Sequence, residues 1–179
     1  MRIISGYFKG RKFPPVNLKF TRPTTDFARE GLFNILRSRL DFDEMDILDL
    51  YSGSGSIALE FISRGCKSAV AIDSQVQSVK YIAKTKDQWG IDNLEIIKTD
   101  VMRYLRKCHF QFDLIFADPP YDFENYTDII DLVFEKELLN NNGYLIMEHD
   151  KRKKFDTLKR FEFQRSFGNV NFSIFRQSN

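Results

Sequence analysis

The chain has 179 residues, 42% of them hydrophobic, enough to bury a substantial core in one domain, and its formal net charge is only +2. No apolar stretch reaches the roughly 18 residues of a membrane span, and the opening MRIISGYFKGRK lacks the apolar centre of a signal peptide, so a cytoplasmic protein without a membrane anchor is expected. The only cysteines, Cys66 and Cys108, and the only histidines, His109 and His149, lack the paired spacings of a zinc site; reduced structural thiols and no bound metal are expected, and neither histidine has an obvious nucleophile partner.

The small net charge is unevenly spread. Arg2, Lys9, Arg11, Lys12, Lys19 and Arg22 all precede the first acid, Asp26, with Phe8, Phe13 and Phe20 interleaved among them. Cations that meet phosphates beside rings that meet bases predict a nucleic-acid-binding arm over residues 1–25. A helical pattern follows over about 26–40. Met45 to Gly55, MDILDLYSGSG, then reads as a buried strand at about 46–51 broken by glycines, ahead of a helix at about 55–64. Gly53, Gly55 and Ala58 match G-x-G-x-x-G/A, in which glycine lets the backbone approach a nucleotide and the small third residue packs the helix on its strand. Asp49 at the strand end would repel a dinucleotide pyrophosphate yet attract a cationic amino-acid group, which favours S-adenosylmethionine over a nicotinamide cofactor. Asp73 ends the next strand, about 68–73, at the spacing where an acid meets ribose hydroxyls. A helix at about 75–88 and a strand at about 94–97 lead to Asp100, which either faces an adenine amine or caps a helix at about 101–107.

The most informative stretch is FDLIFADPPY, Phe112 to Tyr121, an apolar strand at about 112–117 ending in an acid, two prolines and a ring. Proline has a fixed φ and no N–H, so Asp118-Pro119-Pro120 is a stiff tip rich in acceptors and poor in donors. Asp118 and the Pro119 carbonyl suit the two N–H bonds of a nucleobase amine, and Tyr121 suits stacking on the base. A helix at about 125–138, a strand at about 143–148, the cationic run Lys151 to Lys154 and a hairpin around Gly168-Asn169 complete the chain. Alternating strands and helices predict an α/β fold, a parallel sheet with helices on both faces, closed by an antiparallel strand. Ligands in such sheets bind beyond the strands' carboxyl ends, where Asp49, Asp73, Asp100 and Asp118 all fall.

From RIISGYFKGRKF through TRPTTDFAREGLFNIL, DLYSGSGSIALEFISRG and FDLIFADPPY to FGNVNFSIF, the chain resembles the RsmD family of bacterial 16S rRNA guanine-N2 methyltransferases. The resemblance implies the class I methyltransferase fold, Rossmann-like with a mostly parallel seven-stranded sheet, in a single domain of arm (1–25) and core (26–179). It implies S-adenosylmethionine held by Asp49, Tyr51, Ser52, Gly53, Gly55, Asp73, Ser74, Asp100, Val101 and Asp118. It further implies a guanine turned into the pocket of Asp118, Pro119, Pro120 and Tyr121, and RNA contacts from Arg2, Lys9, Arg11, Lys12, Arg22 and Arg29. Arg29, Thr24 and Thr25 either close over the methionine portion or touch RNA. The expected partner is 16S rRNA, free or in a small-subunit assembly particle, and the expected state is a monomer. Gly31 stands where the family usually has alanine, and Asp73 where glutamate is common. A DNA adenine-N6 methyltransferase shares the D-P-P-Y tip but normally needs additional recognition sequence, and a protein glutamine methyltransferase usually has asparagine at position 118. A noncatalytic RNA-binding module leaves the four strand-end acids unexplained, and a nicotinamide-dependent dehydrogenase conflicts with Asp49.

Overall fold

The order of strands in the sheet follows from where the chain is continuously apolar. In a computed structural model, which describes residues 1–14, 24–120 and 122–178, the elements are α1 (Asp26–Arg37), β1 (Asp46–Leu50), α2 (Ser56–Ser63), β2 (Ser68–Asp73), α3 (Val76–Trp89), β3 (Leu94–Lys98), α4 (Val101–Lys107), β4 (Phe112–Ala117), α5 (Tyr126–Glu135), β5 (Leu139–His149), β6 (Phe161–Phe167) and β7 (Val170–Arg176). They build a seven-stranded sheet of order β3-β2-β1-β4-β5-β7-β6. The first five strands are parallel, whereas β7 runs antiparallel between β5 and β6. Central β1 and β4 are buried on both faces, Ile47, Leu48 and Leu50 in β1 and Leu114, Ile115 and Phe116 in β4 supplying the apolar side chains. One core layer joins α1, α2 and α3 to the sheet through Leu32, Phe33, Phe61, Ile82, Phe116 and Phe172. The other joins α4 and α5 through Leu105, Ile129, Val133, Ile115 and Phe175. The chain winds outward in both directions from β1 and β4, so the crevice at their carboxyl ends is the switch point where such sheets bind ligands.

Three boundaries differ from the periodicity. Helix α1 stops at Arg37 rather than near 40, because the Ser38 hydroxyl donates to Ile35 O at 2.7 Å and Ser38 serves as the C-cap. Helix α5 stops at Glu135, and Glu137, at φ +52°, turns the chain into the sheet. Strand β5 begins at Leu139 rather than near 143; the register shift between Phe112 and Leu114 absorbs the added residues. Among the described residues, no helix is long and apolar enough to cross a membrane.

Candidate active site

The strand register assembles the acids. Asp49 lies opposite Phe116, and Ala117 opposite Met147, so Asp118 and Glu148 leave neighbouring strands one position later, side by side. Alternation along a strand puts Asp49 on the face of Ile47, Asp118 on that of Phe116 and Glu148 on that of Ile146, all of the α1–α2–α3 core layer. Glu148 was not anticipated from the sequence; its two-residue spacing from Tyr144 and Ile146 was the available signal. It is buried, and Thr24 Oγ1 donates to its Oε2 at 2.7 Å, which ties the start of α1 to the carboxyl end of β5.

Burial raises the proton affinity of all three carboxyls, and neighbouring negative charge adds to it at Asp49 and Asp118. Burial pushes Asp49 up to about 7, opposed by the N–H of Ala58 and reinforced by the charges of Asp73 and Glu148. Burial likewise pushes Glu148 up to about 7, with the Thr24 hydroxyl pulling the other way. Asp118 is held well above the ordinary carboxylate range, by desolvation first and then by the charges of Glu148 and Asp49. Among the described residues, no group of His, Cys, Asp and Glu is disposed to hold a metal ion.

The loop after β1 is shaped by these acids. Tyr51 adopts φ +59°, Ser52 donates from N to Ile72 O at 3.0 Å and from Oγ to Asp49 O at 2.7 Å, and Gly55 caps α2 at φ +72°. A Cβ on Gly55 would lie 3.0 Å from Ile82 Cγ1, so both backbone angle and space call for glycine there. Asp73 accepts the N–H of Gly53 at Oδ2 and that of Gln75 at Oδ1, each at 2.8 Å, bracing the loop. Asp49 Oδ2 accepts the N–H of Ala58 at 3.2 Å and so does the work of the side-chain cap that Gly55 cannot supply. Beyond β4, Asp118 is half-buried, Pro119 buried and Pro120 exposed, and Pro120 O accepts the N–H of Phe123 at 2.8 Å. Tyr51 meets Phe123 at a ring separation of 6.0 Å. Tyr121 lies outside the described residues.

The family model described as Conserved hypothetical protein 95 matches residues 1–176. The chain belongs to this family, the RsmD family. Ribosomal RNA small subunit methyltransferase D of Buchnera aphidicola is 32% identical over 150 residues, covering 84% of this chain and 76% of that protein. The protein of the same name from Escherichia coli is 30% identical over 148 residues, covering 83% and 71% respectively. The solved structure titled "Putative methyltransferase yhhF from Escherichia coli" matches with a TM-score of 0.86 at 25% identity, covering 99% of this chain and 98% of that one. The fold of this RsmD-family protein is the class I S-adenosylmethionine-dependent methyltransferase fold, with its C-terminal antiparallel hairpin.

Other residues of the RsmD-family chain that the sequence singled out take the following places. Asp100 Oδ1 accepts the N–H of Arg103 at 2.8 Å, which makes it the N-cap of α4, with Val101 buried behind it; Ser74 is exposed. Arg29, weighed as a contact to RNA or the methionine portion, is fully buried. Its Nη2 donates to Asp26 Oδ1 at 2.8 Å and to Arg2 O at 2.5 Å, so it clamps the arm to α1. The arm lies along α2: Ile4 N and Ser5 N donate to Glu60 at 2.8 and 3.0 Å, and Phe8 N to Ser63 Oγ at 3.0 Å. Arg2 and Lys12 pair near the site, whereas the turn carrying Lys9 reaches the far end of α2, an eight-residue helix about 12 Å long. Arg11 lies over the rings of Phe8 and Trp89, 5.2 and 5.3 Å from their centroids. Arg22 lies outside the described residues. His149 does have a hydroxyl neighbour, Ser173 Oγ at 2.8 Å from Nε2, but both are buried and Nδ1 is taken by Asp150 O, so the pair holds β5 to β7 and is shut off from solvent.

Proposed function

We propose that this protein transfers a methyl group from S-adenosylmethionine to the exocyclic N2 amine of a guanine in 16S ribosomal RNA, free or in a small-subunit assembly particle. In this reading it acts as a cytoplasmic monomer, with residues 1–25 as the RNA-binding arm and 26–179 as the catalytic core. The observation that carries the proposal is the convergence of Asp49, Asp118 and Glu148 beside the glycine loop, at the switch point of the sheet. Relatives named Ribosomal RNA small subunit methyltransferase D support the ribosomal substrate.

The donor set suits the cofactor. The start of α2 offers backbone N–H groups to a carboxylate, Asp73 offers acceptors to a ribose diol, and the buried acids suit a cation. When bound, the cofactor supplies a methyl group on positively charged sulfur. A cation beside the three acids offsets their repulsion and lowers the proton affinity of Asp118, which then serves as an acceptor. Asp118 and the Pro119 carbonyl fix the amine through its two N–H bonds and stabilise the positive charge that grows on nitrogen; the methyl would leave sulfur as it joins nitrogen, giving S-adenosylhomocysteine, and the surplus amine proton would pass to the Asp118 carboxylate. Extruding the guanine costs a few kcal/mol, offset by stacking on Tyr121 and by phosphate contacts to the arm.

Tritiated S-adenosylmethionine offered with ribosomal RNA and with DNA tests the substrate. Label is expected in RNA, and label in DNA alone would replace guanine-N2 with adenine-N6 chemistry. Asp118→Ala is expected to lower turnover by about 100- to 1,000-fold while leaving cofactor affinity within a few-fold. Near-normal turnover would remove the proline tip from the chemistry.

A further inference from the structure

We infer that Phe27 and Phe167 form a stacking shelf for an unpaired RNA base next to the one being modified, a site distinct from the pocket of Asp118. The inference rests on the RNA-methyltransferase reading above and extends it to a second nucleotide.

Phe27 is a large apolar side chain in the first turn of α1, yet 67% of it is exposed. Its ring meets that of Phe167 edge-on, with centroids 5.9 Å apart and planes at 80°, so one face remains open. Position follows from elements already described. Thr24, three residues before Phe27, is bonded to Glu148 at the carboxyl end of β5, which fixes the first turn of α1 at the rim of the site. Phe167 ends β6 at the hairpin turn, and the pairing of His149 with Asn171 brings that turn to the same end of β5. Rings connect the two places: Phe116, two residues before Asp118, meets Phe172 at 6.3 Å, and Phe172 meets Phe167 at 6.0 Å. The shelf is thus two ring contacts from the strand that leads to Asp118, on the same face of the sheet.

The surroundings select the occupant. Exposed Lys151 and Lys154 follow directly from β5, where Arg152 is paired with Asp150, and exposed Arg165 lies two residues before Phe167. An open aromatic face beside cations matches a single-stranded polyanion with π-faced bases, because rings accept any base while cations follow the backbone. Among the described residues, the other strongly exposed rings lack this placement: Tyr7 sits at the far end of α2, and Phe110 precedes β4 at the amino ends of the strands. Gly31 maintains the shelf, since a Cβ there would fall 2.1 Å from Phe167 Cε1. The ring can lie against α1 only where the helix lacks a side chain.

The test is binding of a short single-stranded RNA carrying 2-aminopurine, read by fluorescence quenching, beside steady-state methylation of ribosomal RNA. Phe27→Ala should weaken oligonucleotide binding between about 5- and 150-fold and raise KM for RNA more than it lowers kcat. The thermal midpoint should hold, because the ring is mostly solvated, and Phe27→Tyr should restore binding and quenching. Wild-type affinity in Phe27→Ala would overturn the shelf. So would unchanged RNA binding joined to a loss of concentration-dependent sedimentation, which would make the face a contact between copies. Should the wild-type enzyme methylate no ribosomal RNA while Phe27→Ala still loses the oligonucleotide, the shelf stands and the methylation reading falls.

Discussion

At Gly31 two local rules oppose each other. Replacing glycine with alanine inside a helix ordinarily adds about 1 kcal/mol of stability. Here the added methyl meets the Phe167 ring at 2.1 to 2.5 Å, so the ring must leave its seat, and overpacking of this kind costs about 1–3 kcal/mol. Gly31→Ala is therefore expected to be neutral to about 2 kcal/mol destabilising in urea unfolding, with the Phe27–Phe167 pair disrupted. A gain of about 1 kcal/mol would mean that Phe167 swings aside freely. The departure from alanine at this position was visible in the sequence, but its cause was not, since the ring arrives from a hairpin at the other end of the chain. Asp100 presents the reverse case: both of its readings were legible, and the cap is the one the structure displays.

Helix α2 couples the site to the arm. Its amino end receives the Asp49 carboxylate, while its carboxyl half holds the arm through Glu60 and Ser63. Glu60 is completely buried and also accepts from Arg64 Nε at 2.8 Å, so each of its oxygens serves a donor on the arm and one serves two. Removing one partner of a buried pair leaves the other uncompensated, at about 3–5 kcal/mol. Glu60→Ala is expected to lose stability in that range and to expose residues 1–14 to limited proteolysis. Protection equal to the wild type would assign the docking to the Ser63 and Arg29 bonds and to the arm's own Ile3 and Phe13, both buried against the core. Strands β1, β2 and β4 were legible because both of their faces are apolar, and the glycine loop because its punctuation is sharp. The docking of the arm was not, because alternating cations masked its apolar face and made the whole segment read as a surface for RNA. Arg29 illustrates the limit: residue type alone cannot distinguish a guanidinium that meets phosphate from one that meets a backbone carbonyl and an aspartate.

Across the whole molecule, the buried acids set a pH dependence opposite to ordinary acid unfolding. In the unfolded chain Asp and Glu titrate near 4, whereas in the folded protein Asp49 and Glu148 titrate near 7 and Asp118 is also raised. Between those limits the folded state holds more protons, so these groups favour folding at low pH, lose that advantage as pH climbs from about 4 to about 7, and change nothing above. Each contributes up to about 1.4 kcal/mol per pH unit within the window. His149, whose burial lowers its proton affinity, and Asp150, lowered by its bond to Arg152, act in the other direction at acid pH, so the raw stability curve blends both. The variant Asp49→Asn separates them, because its amide oxygen still accepts from Ala58 but carries no titrating proton. Its unfolding free energy relative to the wild type is expected to rise by about 2–4 kcal/mol between pH 4.5 and pH 8, measured by urea denaturation at each pH. A difference that stays constant with pH would place Asp49 in a solvated environment and undo the mutual repulsion of the three acids. The same repulsion makes a bound cation stabilising: S-adenosylmethionine should raise the wild-type thermal midpoint more at pH 8 than at pH 5, and Asp49→Asn should erase much of that difference.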